Sequence, residues 1–137
     1  MYEINEVKTD KKKEAEGVWI DIGNGGRLKI ARNGNPNTQR KWEKIRADPA
    51  IRNSLRHDTI SLEKMDDLIL DVLSETVLLD WEGMSENGEP MKFSVEKARE
   101  VLRNVTVIRE IVQNYASDYT FFRASVLDES AEALKKS

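Results

Sequence analysis

A chain of 137 residues, 39% hydrophobic and 34% charged, holds one ordinary domain with a heavily solvated surface. No stretch approaches the ~18–20 apolar residues of a membrane span, and the opening MYEINEVKTDKKKEAEG lacks the apolar core of a secretory signal. The absence of cysteine excludes disulfides, thiolate metal sites and cysteine nucleophiles, and one histidine, His57, leaves little for a triad or a metal centre.

The net charge of -3 conceals a segregation. Residues 1–26 carry 4 basic and 6 acidic side chains, residues 27–57 carry 9 and 2, and residues 58–137 carry 9 and 17. A basic block followed by an acidic one points to nucleic-acid contact or to attraction between parts of one molecule or neighbouring copies. The short basic block and the acidic whole favour the second meaning. What remains is an intracellular binding or assembly module, or an enzyme run on carboxylates.

Along the chain, residues 1–17 alternate in charge and read as a flexible arm; residues 18–137 read as a single domain. VWIDI, GNGG and RLKIA predict two strands and a glycine turn, with Val18, Ile20 and Ile22 on one face and Leu28 and Ile30 on the return. Asn35-Pro36 opens a helix carrying Trp42 and Ile45 inward, and Asp48-Pro49 breaks or restarts it before Ile51. Ser61 caps the clearest helix, whose stripe is Leu62, Met65, Leu68, Ile69, Val72, Leu73, Thr76 and Leu79. The helical pattern stops at Asp80-Trp81-Glu82-Gly83, Asn87-Gly88 predicts a tight turn before Pro90, and Ser94 caps a short helix. A last helical region covers about 105–134, with Ile108, Val112, Tyr115, Tyr119, Phe122 and Val126 in register and a break foreseen at Ser117-Asp118 or Thr120. The expected class is α+β, mainly α-helical: a short N-terminal β-hairpin followed by a bundle of about four to five helices.

Chemistry finds little purchase. Gly23-Asn24-Gly25-Gly26 leads into a strand rather than a helix, so it reads as a turn and not a phosphate loop. Glu63, Asp67, Asp71 and Glu75 recur every four residues on one helix face, with Asp66 beside them. That line reads as a solvated face first, as a dock for a basic surface second, and as a metal or acid–base site last, since it lies away from the apolar side. Asp80–Glu89 fails the calcium-loop pattern, because the fifth and sixth positions are Met84 and Ser85. Arg40, Lys41, Lys44, Arg46, Arg52 and Arg56 around Trp42 offer a phosphate grip, the basis of an alternative reading as a small nucleic-acid-binding regulator using residues 27–57. Phe121 and Phe122 are adjacent and cannot both point inward, so one is expected to face a partner. No catalytic, cofactor-binding or metal-binding residue is assigned.

The segment LLDWEGMSENGEPMKFSVEKAREVLRN, Leu78 to Asn104, resembles a pattern in the tail assembly chaperones of long-tailed, siphovirus-type bacteriophages. There a helix runs into Leu-x-Asp-Trp-Glu-Gly, then an acidic glycine turn, then Ser opening a helix. The stretch YTFFRASVLDESA, Tyr119 to Ala131, is similar to the aromatic and Arg cluster that follows. The resemblance implies a non-enzymatic protein without cofactors. It would bind and solubilise the tape-measure protein in the host cytoplasm, self-associate, meet the tail-tube protein and be absent from the mature virion. This chain would correspond to the short form, without a frameshifted extension. It also implies architectural roles for Asp80, Trp81, Gly83, Gly88, Pro90 and Ser94. Partner contacts are expected from Tyr119, Phe121, Phe122, Arg123, Glu63, Asp67, Asp71, Arg40, Lys44 and Arg52.

Overall fold

The computed structural model describes residues 1–124. The glycine turn forms as expected. Asn24 and Gly25, with φ of 53° and 81°, close a two-residue turn between β1 (Val18–Gly23) and β2 (Gly26–Ile30), because such turns need positive φ at both central residues. Leu28 and Ile30 are fully buried on the inner face and Ile20 nearly so.

Four helices follow their sequence signals closely. Asn35 caps α2 (Pro36–Arg46), and Asp48 caps α3 (Pro49–Arg56), so the Asp-Pro pair restarts the helix. Ser61 caps α4 (Leu62–Thr76), and Ser94 caps α5 (Val95–Asn104). In each, the cap oxygen accepts from backbone amides of the first turn, which lack partners inside the helix. α6 (Thr106–Ser117) has no side-chain cap at its start. It ends where Asp118 turns the chain, accepting from the Thr120 amide at 3.0 Å and hydroxyl at 2.7 Å. A short 3-10 turn, Tyr119–Phe122, follows. Val126 and the remainder of the expected last helix lie outside the described residues.

Three features depart from the sequence reading. First, Leu78–Glu82 is a strand, β3, paired antiparallel with β2 to give the sheet order β1-β2-β3. Leu79 therefore belongs to no helical stripe. A continuous apolar run such as VLL satisfies a helix and a buried strand equally; the free edge of β2 selects the strand. Second, residues within the supposed arm are structured. Asp10 caps α1 (Lys11–Glu16), the Asp10 amide donates to the Phe122 carbonyl at 2.7 Å, and the Ala124 amide donates to that of Lys8 at 3.1 Å. Third, Leu62 heads the α4 stripe in sequence yet is 91% exposed.

The main core fills the space between the sheet and α4, α5 and α6. Leu28, Ile30, Leu70, Val77, Leu78, Leu102 and Val112 are buried there. A second, smaller cluster joins α2 to α4: Ile45, Leu68 and Val72 are buried, and Trp42, Ile51 and Ile60 cover them only in part. Thr38 touches Thr76 through their hydroxyls at 3.1 Å, while Ile45 packs with Leu68. α2 thus runs antiparallel to α4 and delivers α3 to the end where α4 begins.

Candidate interaction surface

The motif from Asp80 to Ser94 folds back as a small hairpin. β4 (Ser85–Glu86) pairs with β5 (Glu89–Pro90) across Asn87-Gly88, both of positive φ. Trp81 is buried; its indole N–H donates to the Met91 carbonyl at 2.7 Å, and Phe93 meets its ring edge-on at 4.9 Å between centroids. Asp80 accepts from the Trp81 amide at 2.8 Å, and Ser94 from that of Lys97 at 3.0 Å. Gly83, at φ +66°, passes so close to β1–β2 that an added Cβ would sit 2.0 Å from the Gly25 oxygen.

The carboxylate line meets cations of its own chain. Asp71 accepts from Arg99 Nε at 2.7 Å, Asp67 from Arg103 at 2.7 Å, and Asp66 from Arg109 at 2.6 Å. Glu75 pairs with Lys41 at 2.7 Å. Asp67 and Asp71, named as partner contacts from the sequence, thus have cation partners within the chain while their side chains stay 40% and 39% exposed. The Arg109 hydrogen bond holds the Asp66 carboxyl below its ordinary value, and the Asp71 hydrogen bond raises Arg99. Glu63 remains exposed, with no ion pair among the described residues. The two charge blocks seen in sequence touch at Lys41–Glu75 and at Arg27–Glu82, whereas Arg99, Arg103 and Arg109 answer the acids from within the acidic block itself.

The aromatic corner divides as the adjacency of its phenylalanines requires. Phe122 is fully buried, with the Arg32 guanidinium 6.0 Å from its ring, and so contributes to the core rather than to a contact surface. Tyr119 and Phe121 are 37% and 39% exposed, and Phe121 meets Tyr115 edge-on at 4.6 Å. Arg123 is exposed and bridges Thr9 through the backbone.

α2 and α3 concentrate cations on one stretch of the fold. Arg40, Lys44, Arg46, Arg52 and Arg56 are exposed and make no ion pair among the described residues; Arg40 hydrogen-bonds Asn37. His57, the C-cap of α3, is exposed. α3 itself has no buried residue, although Ile51, Ser54 and Leu55 share its partly covered side. Beside Trp42, a cavity of about 270 Å³ opens between α2, α4 and α6, lined among others by Ile69, Leu73, Gln113 and Ala116. Trp42 was expected in the core. Its position on the rim was not legible, because helical spacing shows which face a residue shares and not how fully that face is covered.

Among the described residues, no group of three or more His, Asp or Glu side chains is arranged to hold a metal, and no helix is long and apolar enough to cross a membrane.

The profile of the family described as YdaY prophage protein matches residues 33–136, from the turn before α2 onward. The chain belongs to that family. The matched span takes in the α2–α3 face, the carboxylate line, the Asp80–Ser94 hairpin and the aromatic corner, and establishes a prophage-encoded, phage-related protein. No curated protein and no solved structure matches the chain.

Proposed function

We propose that this prophage protein is a tail assembly chaperone that binds the tape-measure protein and keeps it soluble while the tail is built. The observation that carries the reading is the half-covered cluster on α2–α3. Three buried aliphatic residues of α2 and α4 lie beneath Trp42 of α2, Ile51 of α3 and Ile60 of the turn before α4, each partly open to solvent, and α3 buries none of its own side chains. Such a face suits an amphipathic helix laid into a groove, and a tape-measure protein is a long run of such helices. Prophage membership and the Leu78–Asn104 resemblance support the same reading. The function is binding, without a bond made or broken and without a cofactor. The protein acts in the host cytoplasm as a homo-oligomer, hands its client to the tail-tube protein, and is left out of the virion. Co-expression tests it: the soluble fraction of the tape-measure protein from the same prophage should rise when this chain is present. No change for any tape-measure fragment would overturn the reading.

One observation favours a second reading, a nucleic-acid-binding regulator. Lys44, Arg46, Arg52 and Arg56 stand without carboxylate partners among the described residues and would suit phosphates. That reading requires a salt-sensitive gel shift of duplex DNA, and a flat titration at low salt removes it.

A further inference from the structure

We propose that the α2–α3 face seats a client helix whose apolar stripe is flanked by carboxylates, an inference that rests on the chaperone reading and adds the chemistry of the bound segment. The packing places the apolar half: Trp42, Ile51 and Ile60 form a strip over Ile45, Leu68 and Val72, partly open to solvent.

Charge decides the occupant. Arg52 and Arg56 lie four apart on α3, one position on from Ile51 and Leu55, and so line the side next to its partly covered face, whereas Arg40 and Lys44 fall on the side of α2 away from Trp42. The acids nearest in sequence offset them only partly: Asp48 is committed to capping α3, leaving Glu43 on α2 and Asp58 in the following turn. A helix with Glu or Asp beside its apolar stripe would complete both halves at once. A second copy of this chain offers a poorer match. On its carboxylate-bearing helix, α4, Asp66, Asp67, Asp71 and Glu75 are bound to Arg109, Arg103, Arg99 and Lys41, which leaves Glu63 as the one carboxylate of that helix with no ion pair among the described residues. Nucleic acid would engage the cations and leave the apolar strip wet.

The test uses the full chain and two fluorescent synthetic peptides sharing one leucine stripe, flanked in one by Glu and in the other by Lys. Anisotropy should show binding of the Glu peptide alone, weakened at least about tenfold by Arg52→Glu/Arg56→Glu and weakened by added salt. Circular dichroism of this variant should match the wild type and its Tm should fall by no more than a few degrees, since both side chains are exposed and unpaired among the described residues and the cost is confined to acids near the end of α3. Equal binding of the two peptides, binding of neither, or an unchanged affinity in the variant overturns the proposal. Displacement of the Glu peptide by duplex DNA reassigns the face to nucleic acid. An oligomer that dissociates in the variant without peptide reassigns it to a second copy. Either reassignment also overturns the proposal. Co-expression separates this inference from the one beneath it. If the variant solubilises the tape-measure protein as well as wild type does, the surface is wrong and the chaperone stands. If wild type itself fails, the chaperone reading falls whatever the peptides do.

Discussion

Gly83 shows how much of the motif between Asp80 and Ser94 is architecture. Its φ of +66° and the 2.0 Å gap between a notional Cβ and the Gly25 oxygen leave no room for any side chain. Gly83→Ala should therefore cost at least about 2 kcal/mol in urea unfolding, through strain at positive φ and forced separation of two backbones. A variant as stable as wild type would show that this approach does not matter. Asn35 is a comparable node. Buried, it accepts from the Asn37 and Thr38 amides and donates to the Arg32 and Thr76 carbonyls, tying the start of α2 to the end of α4. Asn35→Ala removes a cap and leaves the Thr76 carbonyl without its amide donor, while Arg32 keeps the Asn35 backbone amide, for a loss of about 2 kcal/mol. Asp66 sets a pH dependence. Arg109 lowers its pKa from the ordinary 3.8, so its contribution is complete above that value and disappears as pH falls through the lower folded value. Asp66→Asn should flatten the fall of Tm with acid below about pH 4, and an unaltered acid limb would contradict the assignment.

Between elements, the α4–α5 seam is a ladder of matched repeats. Asp67 and Asp71 lie four apart on α4, and Arg99 and Arg103 lie four apart on α5. The pairs are 30–49% exposed, so solvent screens them and each adds at most about 1 kcal/mol. They lie beside the apolar packing of Leu70 and Leu73 with Ala98, Val101 and Leu102, which joins the same two helices. Asp67→Asn/Asp71→Asn should lower stability by about 1 kcal/mol, and most of that difference should vanish in high salt; a salt-independent loss would point to packing instead. The matching spacing was the one trace of this seam in the sequence. Periodicity gives faces, whereas the pairing of faces depends on how α4 and α5 are hung from the sheet. Caps were more legible, since Asn35-Pro36, Asp48-Pro49, Ser61 and Ser94 act within a few residues of themselves. β3 was not, because its identity comes from the open edge of β2 about fifty residues earlier in the chain. α1 was hidden for the same reason: five charged residues and one alanine hold a helix here once Asp10 and Lys8 are tied to the backbone beyond α6.

At the scale of the molecule, the acidic line of α4 meets arginines of α5 and α6 and Lys41 of α2, Phe122 is buried, and Tyr119, Phe121 and Arg123 stay at the surface. At the end where α3 lies over the start of α4, Trp42, Ile51 and Ile60 are partly open, and Arg52 and Arg56 are exposed without an ion pair among the described residues. The chain belongs to a family of prophage proteins, and that face is the physical basis of the proposal that it holds an aggregation-prone helical partner. Light scattering tests that claim most directly. A tape-measure fragment from the same prophage is diluted from urea into buffer, with and without the purified chain. The account predicts that scattering falls as the chain is added and saturates near a stoichiometric ratio, without nucleotide or metal. Scattering that is unchanged at every ratio, or abolished by trace amounts in the manner of a turnover catalyst, would contradict it.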